Sequence, residues 1–346
     1  MNYAIILAGG VGSRFWPLSR STQPKQLLSV CSRRPMLEET VRRIRSFIRN
    51  DAIYIAANKA HDRKAGACLK QLHIPARNIF LEPEGKNTLA PVALLSRRIA
   101  DCDPEAVVIV LPSDHMVKRP AALIRLLKQA AAVAQKGYLV TLGIVPERPE
   151  TGYGYLKVKQ RCGNFYRVEK FIEKPDLKTA EKFIRDRRYY WNNGIFVFKA
   201  QVLLEEIRKL QPAFYALLMR MRTETRLRQL WKKLPSISLD YAIMEKTSRA
   251  ALLPADYGWV DIGSWSALEE VLPKDRQGNI FRGNCVDIGS RNTLVWPDKR
   301  LVATVGLDGL IVIDTPDALL VCAKDKAQDV KKVVQRLKRK NLKERI

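Results

Sequence analysis

Three glycines near the start of the chain form a segment whose composition suits phosphate binding. The segment reads LAGGVGSR from Leu7 to Arg14 and directly follows a short apolar run. Glycine tolerates positive φ and lets backbone N–H groups come close to phosphate oxygens. Arg14 and the later Lys25 add positive charge suited to a triphosphate.

A tight strand-to-helix turn would also use glycines, so the loop needs support from its surroundings. The Walker pattern GxxxxGK[ST] is absent, and GxGxxG starting at Gly10 would need a glycine where the sequence has Phe15. Arg14, Pro17 and the Pro-Lys-Gln of residues 24–26 follow at close spacing. This grouping favours a ligand-binding loop over a simple turn.

Two aspartates from distant parts of the chain are candidate metal ligands. Asp114 follows the apolar run 107–111, and Asp261 lies in Gly-Trp-Val-Asp-Ile-Gly-Ser-Trp at residues 258–265. Two carboxylates suit Mg²⁺, which keeps several waters and takes further oxygens from substrate phosphates. Each aspartate could instead lie at the start of a helix, but together with the glycine loop they favour a metal site.

The order of apolar runs and amphipathic stretches predicts the scaffold for these groups. Apolar runs predict strands at residues 3–8, 52–57, 107–111 and 138–144. Apolar residues spaced three and four apart predict helices at residues 36–47, 60–72, 91–99 and 121–134. This βαβα order predicts an α/β domain over residues 1–270 with a largely parallel sheet, whose ligands bind beyond the carboxyl ends of the strands.

In the last quarter of the sequence, the alternation of apolar runs and helical stretches gives way to short β-rich runs. Short β-rich runs at 279–286, 293–295, 301–305, 310–314 and 318–322 are separated by Gly, Asp, Asn and Pro turns. They predict a small all-β domain over residues 271–325. Residues 326–346 predict a basic amphipathic helix whose apolar stripe packs on its own subunit or on a partner.

The high positive charge of the chain should attract polyanions, but it does not indicate which class of anionic partner is bound. There are 61 Lys and Arg against 35 Asp and Glu, a net charge of +26 over 346 residues. We expect solvated basic helix faces, since no nucleic-acid motif accompanies the charge. No apolar run approaches the roughly twenty residues that span a bilayer, and the first apolar stretch is too short for a signal peptide. The sequence predicts a cytoplasmic protein with no membrane or nucleic-acid partner.

Taken together, these motifs resemble the signature of the sugar nucleotidyltransferases. The residues that carry the resemblance are GGxGxRxxPLS at 9–19 followed by Pro-Lys-Gln, and the Phe-Trp-Pro-Leu-Ser form is similar to the mannose-1-phosphate guanylyltransferases of that family. The resemblance implies a Rossmann-like (GT-A-type) domain with a small C-terminal left-handed β-helix domain. It implies transfer of GMP from GTP to mannose 1-phosphate with Mg²⁺ as cofactor.

The resemblance also implies a role for individual residues. The catalytic cations would be Arg14, Lys25 and Lys174, and the metal ligands Asp114 and Asp261. Nucleotide would be bound by Leu7, Ala8, Gly9, Gly10, Gly12, Ser13, Glu82, Asn87, Thr88 and Ser113. The sugar phosphate would be bound by Gly152, Glu169, Lys174 and Asn193.

Three other functions stay open at this point. One is the same chemistry with another hexose 1-phosphate or nucleotide, the second is a non-catalytic relative that only binds nucleotide, and the third, resting on charge alone, is a nucleic-acid-binding protein. Pro-Lys-Gln and Trp-Val-Asp-Ile-Gly-Ser-Trp favour the mannose branch, while the joint presence of Arg14, Lys25, Asp114 and Asp261 favours an enzyme. The all-β domain and the apolar helix stripe predict a homodimer.

Overall fold

The computed structural model describes residues 1–10, 12–59, 68 and 71–346. Val11 and most of the predicted helix 60–72 lie outside the described residues. Among the described residues, no helix is both long enough and apolar enough to cross a membrane.

A nine-stranded sheet forms the centre of the larger part of the chain. Its strands are β1 (Asn2–Ala8), β2 (Ile53–Asn58), β3 (Ile79–Glu82), β4 (Val107–Pro112), β6 (Leu139–Ile144), β7 (Gly154–Cys162), β8 (Phe165–Ile172), β9 (Tyr189–Lys199) and β10 (Ala250–Pro254). Their order is β3-β2-β1-β4-β9-β6-β10-β8-β7. Two short strands, β5 (His115–Val117) and β11 (Trp259–Asp261), form a separate antiparallel pair.

The sheet is mixed, which corrects the prediction of a largely parallel one. β1, β2, β3 and β4 are parallel neighbours, and β6 is parallel to β10. β9 lies between β4 and β6 and is antiparallel to both, so the four predicted strands do share one direction. The antiparallel strands β7, β8 and β9 come after the segment from which the prediction was made.

Helices cover the sheet and bury their apolar faces against it. They are α1 (Met36–Ile44), α2 (Leu89–Cys102), α3 (Pro120–Ala134), α4 (Leu177–Arg185), α5 (Ala200–Leu210), α6 (Pro212–Met219) and α7 (Glu224–Trp231). Pro120 opens α3 at a position where the missing N–H has no intrahelical partner. Ile5, Val41 and Leu94 are fully buried in the resulting core, so β1, α1 and α2 are fixed relative to one another.

The C-terminal strands stack as the coils of a β-helix. They are β12 (Ile280–Phe281), β13 (Cys285–Ile288), β14 (Leu294–Trp296), β15 (Val302–Val305), β16 (Leu310–Thr315) and β17 (Ala318–Ala323). β12, β14 and β16 pair in parallel on one face, and β13 and β15 pair in parallel on another. The predicted single strand 279–286 is divided because Gly283 turns the chain with φ 103°. The left-handedness of the coil stays a prediction.

The last helix, α8 (Val330–Arg339), follows a 3₁₀ turn at Lys324–Asp329 and is shorter than predicted. It joins the β-helix in a second apolar core that also contains Phe15, Trp16 and Trp265. Arg282 donates to the carbonyl oxygens of Val30 at 2.7 Å and Ser29 at 3.0 Å. The C-terminal unit therefore packs on the segment that follows the glycine loop.

Candidate active site

Three adjoining cavities lie beyond the carboxyl ends of β1, β4 and β6. We call them the first, central and outer cavities, with volumes of about 400, 350 and 750 Å³. The first and central cavities share Gly12, Lys25 and Asp114. The central and outer cavities share Arg14, Asp261 and Gly263. The central cavity thus joins the other two, and four predicted charged residues line it.

Parallel pairing of β1 and β4 brings the glycine loop beside Asp114. Leu7 is paired with Pro112, and the Ser113 N–H donates to the Leu7 carbonyl at 3.1 Å. Gly12 has φ 68°, and a Cβ there would lie 2.3 Å from the Cβ of Lys25. Among the described residues other than its chain neighbours, no atom lies within 4 Å of a Cβ on Gly10. The loop is therefore tightly packed at Gly12 and open toward the first cavity at Gly10.

Lys25 and Asp114 form an ion pair where the first and central cavities meet. The Lys25 ammonium lies 2.8 Å from a carboxylate oxygen of Asp114, and only 6% of the lysine side chain is exposed. Burial acts to raise the pKa of Asp114, but the neighbouring Lys25 ammonium, the nearby His115 and local hydrogen bonds together hold that pKa below its usual value. The Asp114 carboxylate is therefore ionised at neutral pH.

Asp261 reaches the same cavity from β11. It lies opposite His115 in the β5–β11 pair and so is placed beside Asp114. Burial lowers the pKa of His115, whose Nδ1 accepts a hydrogen bond from the Trp259 indole at 3.2 Å. His115 is therefore a neutral supporting residue behind the two carboxylates.

The two aspartates fit a divalent cation that takes most of its ligands from elsewhere. The Asp261 carboxylate has no ion-pair partner within 4 Å in the part of the chain that the structure describes. Among the same residues, no group of three or more His, Cys, Asp or Glu is placed to hold a metal. Hard cations accept two carboxylates together with waters and substrate phosphate oxygens.

Most of the predicted nucleotide-binding residues line the first cavity. Those that do are Leu7, Gly9, Gly10, Gly12, Glu82, Asn87, Thr88 and Ser113. Ser13 lines the central cavity instead, and Ala8 is buried in β1 without lining any of the three. Gln26 lines the first cavity and donates to the Ala8 carbonyl, a role that its place in Pro-Lys-Gln could have suggested.

Glu82 supplies a buried carboxylate to the first cavity. It is 5% exposed, and burial raises its pKa to about 7. One of its oxygens would lie 3.1 Å from a Cβ on Gly9, so the carboxylate is next to the glycine loop. It is thus an acceptor in the cavity that the loop borders.

The outer cavity contains Gly152 and Lys174, as predicted, among further polar residues. Arg148, Glu150 and Tyr153 line it as well, and they lie close to Gly152 in the sequence. Lys174 has φ 46°, and its backbone N–H donates to the Tyr153 carbonyl at 3.2 Å. The loop around Gly152 and the turn at Lys174 therefore build one wall together.

Two predicted sugar-binding residues have other surroundings in the structure. Glu169 is paired with Lys157 at 2.7 Å on an exposed part of β8 and lines none of the three cavities. Asn193 is buried, donates to the Tyr257 hydroxyl at 2.7 Å and accepts from the Ile195 N–H at 3.0 Å. Its amide is therefore engaged within the protein.

Two other residues, Glu173 and Asp240, could supply the hydrogen-bond acceptors for sugar hydroxyls that were expected from Glu169 and Asn193. Glu173 forms an ion pair with Lys174, and one of its oxygens would lie 2.5 Å from a Cβ on Gly154. Asp240 lines the first cavity and accepts from the Asn192 amide at 2.9 Å. Burial, and then the Glu173 charge, raise the pKa of Asp240 to about 6. Glu173, the second glutamate of the segment 168–175, was passed over by sequence reasoning and lines none of the three cavities itself. Its ion pair with Lys174 places it at the turn that borders the outer cavity, so it is the better candidate of the two.

Two residues of the C-terminal segment also reach the site. Gln328 lines the outer cavity, and Lys331 lines the central one. Sequence reasoning gave this segment only a packing role, because nothing in its own pattern indicates which cavity lies beside it.

Comparisons with known proteins cover nearly the whole chain. The nucleotidyl transferase family model matches residues 3–278, and the MannoseP isomerase/GMP-like beta-helix domain model matches residues 283–337. The xanthan biosynthesis protein XanB of Xanthomonas campestris pv. campestris (strain B100) is 42% identical, over 96% of this chain and 73% of the relative. The mannose-1-phosphate guanylyltransferase of Salmonella muenchen is 37% identical, over 97% of this chain and 73% of the relative.

A solved structure matches the fold along the same length. The crystal structure of mannose-1-phosphate geranyltransferase from Thermus thermophilus superposes with a TM-score of 0.89 at 34% identity. The match covers 97% of this chain and 99% of that one. The larger α/β part and the β-helix therefore occur together, in this arrangement, in another protein.

Proposed function

This chain belongs to the nucleotidyl transferase family, and on that premise we propose that it transfers GMP from GTP to mannose 1-phosphate. The products are GDP-mannose and pyrophosphate. The observation that carries the proposal is the central cavity, which joins a cavity for the nucleoside to a cavity for the sugar phosphate. We infer the substrate pair from relatives such as the mannose-1-phosphate guanylyltransferase of Salmonella muenchen, whose name gives the sugar phosphate and the guanylyl group.

The first cavity suits guanosine because of Glu82. Guanine presents two neighbouring donors, N1–H and the 2-amino group, and a carboxylate can accept from both. Adenine has no such pair on that edge, and a site built to hydrogen-bond rejects analogues that leave its buried groups unpaired. Gly10, with open space beside it, lets the triphosphate approach the backbone.

The outer cavity suits a sugar 1-phosphate. Lys174 and Arg148 supply cations for the phosphate, and Gly152 lets the backbone come close. Glu173, which is ion-paired to Lys174, and Asp240, which lines the first cavity, supply acceptors for sugar hydroxyls in place of Glu169 and Asn193. Lys174, Arg148 and Gly152 lie across the central cavity from Gly10.

Asp114 and Asp261 would hold Mg²⁺ in the central cavity. When bound, the ion would neutralise negative charge on the reacting phosphates. Lys25, ion-paired to Asp114, fixes the orientation of that carboxylate toward the cavity.

The transfer is a substitution at the α-phosphorus of GTP. A phosphate oxygen of mannose 1-phosphate forms the new bond, and the bond from the α-phosphorus to the bridging oxygen breaks, so that pyrophosphate leaves with the electron pair. No general base is needed because the attacking oxygen is already an anion. The protein's part is to hold two repelling anions in line and to offset their charge with Arg14, Lys25 and Lys174.

Pyrophosphate release tests the proposal directly. It should be measured with Mg²⁺ and mannose 1-phosphate against GTP, ATP, UTP and dTTP, and again with glucose 1-phosphate. We expect release only with GTP and mannose 1-phosphate, lost in Asp261→Asn and kept in Asp256→Asn, a control at an exposed carboxylate away from the cavities. Turnover with another pair would change the substrates, and no turnover by folded protein with any pair would overturn the proposal.

A further inference from the structure

The C-terminal helix α8 brings a lysine from the far end of the chain into the central cavity. Lys331 lines this cavity beside the glycine loop and both aspartates. The cavity is therefore not built by the α/β part of the molecule alone.

The position of Lys331 is fixed by the packing of α8. Val330 and Val334 are buried in the second core together with Phe15, and α8 contacts the turn Ser13–Phe15. Just before the helix, the Gln328 amide donates to the Ser264 hydroxyl at 3.4 Å. Since Lys331 follows Val330 directly, the helix that anchors the loop also places Lys331 at the loop's cavity.

The charges in the central cavity are incompletely compensated. Lys25 is paired with Asp114, whereas neither Arg14 nor Lys331 has a carboxylate within 4 Å in the described ranges. The Arg14 Nε is buried and, among the same residues, has no hydrogen-bond partner. A buried donor without an acceptor is costly, so a ligand that brings acceptor oxygens is expected here. The neighbouring Lys332, by contrast, is paired with Asp329 at 2.8 Å.

We propose that Lys331 binds the β- and γ-phosphates of the nucleoside triphosphate and the pyrophosphate that they become. The inference rests on the proposed function and adds a residue from the C-terminal unit to its site. Lys331 shares the central cavity with the glycine loop, while Lys174 and Arg148 serve the outer cavity. When the bridging oxygen takes the electron pair, negative charge grows on the pyrophosphate, and a fixed cation beside it stabilises the transition state.

Kinetics in both directions separate this role from a structural one. Lys331→Gln should be compared with the wild type and with Lys332→Gln, its neighbour on the same helix. We expect kcat/KM for GTP, and for pyrophosphate in the reverse reaction, to fall about a hundredfold in Lys331→Gln. The KM for mannose 1-phosphate should stay unchanged, Lys331→Arg should recover most of the loss, and Lys332→Gln should match the wild type. Identical kinetics in the two Gln variants, or an equal loss for mannose 1-phosphate, would overturn the proposal.

Direct binding keeps the test independent of turnover. Titration calorimetry with magnesium pyrophosphate on the full chain should give weaker binding in Lys331→Gln than in Lys332→Gln, even if no substrate pair turns over. Equal affinity in both variants overturns the role of Lys331 while leaving the proposed function standing. A lower unfolding temperature in Lys331→Gln alone would assign the residue to packing and also overturn the proposal.

Discussion

The indole of Trp265 packs against the ring of Phe15 with their centroids 5.0 Å apart. Trp265 is fully buried, and its N–H donates to the Trp16 carbonyl at 3.1 Å. Phe15 comes directly after Arg14, so this contact fixes the end of the glycine loop against the second core. The loop that faces the central cavity thus depends on packing that the β-helix and α8 complete.

Trp265→Ala should destabilise the protein and loosen the loop. Removing a buried tryptophan costs about 3–5 kcal/mol in the free energy of unfolding, because of lost burial and the cavity left behind. Denaturant unfolding measures that change, and we expect KM for GTP to rise in the folded fraction. Trp265→Phe, which keeps a ring beside Phe15, should lose less on both counts. Wild-type kinetics and stability in Trp265→Ala would contradict this account of the loop.

Because of Glu82, kcat/KM for GTP should depend on pH near neutrality. Burial raises its pKa to about 7, so the carboxylate is protonated below that pH and ionised above it. Since the ionised form accepts both guanine donors, kcat/KM for GTP should fall as the pH drops below about 7. Glu82→Gln should be less active with GTP and should lack this component of the pH profile.

The raised pKa of Glu82 should also make folding stability depend on pH, and stability should fall as the pH rises, whereas GTP use should increase. A carboxyl whose pKa is raised on folding binds its proton more tightly in the folded state, so stability falls as the pH rises from the unfolded pKa toward 7. Above pH 7, Glu82→Gln should therefore unfold at a higher temperature than the wild type. A wild type that loses no stability relative to this variant as the pH rises would contradict the assignment.

Glu173 and Glu169 offer a matched pair for the sugar site. Glu173→Gln should raise the KM for mannose 1-phosphate, because Glu173 lies beside Lys174 at the turn that borders the outer cavity. Glu169→Gln should leave it unchanged, since Glu169 is paired with Lys157 outside the three cavities. Steady-state kinetics with saturating GTP measures both. The reverse ranking would restore the role that the sequence assigned to Glu169.

Substitutions at Gly10 and Gly12 should have different effects, because Gly10 borders open space for a ligand and Gly12 is packed against Lys25. In Gly10→Ala, the new Cβ meets no atom within 4 Å among the described residues beyond its chain neighbours. The protein should therefore fold normally and lose GTP affinity if phosphate approaches that backbone. Gly12→Ala would place a Cβ 2.3 Å from the Lys25 Cβ at a positive φ, so it should lose stability as well as activity. Thermal unfolding together with the KM for GTP distinguishes the two. Normal GTP affinity in Gly10→Ala would remove the loop from the phosphate site.

The sequence predicted those site residues that lie directly at the ends of paired strands. The glycine loop, Lys25, Asp114 and Asp261 are brought together because parallel strands share a carboxyl edge and because β5 pairs with β11. Apolar runs also predicted the strands β1, β2, β4 and β6 and the β-rich C-terminal unit, since burial imposes an apolar pattern locally. The short strands β3 and β5 were not predicted.

Tertiary structure alone decided the surroundings of two glutamates in one short charged motif. The pairing of β8 and the turn after it place Glu173 with Lys174 at the border of the outer cavity, and Glu169 with Lys157 on an exposed part of the strand. Lys331 lies more than 300 residues from the loop whose cavity it lines. Its place depends on how α8 packs against Phe15, a contact between distant segments that no local pattern in the sequence encodes.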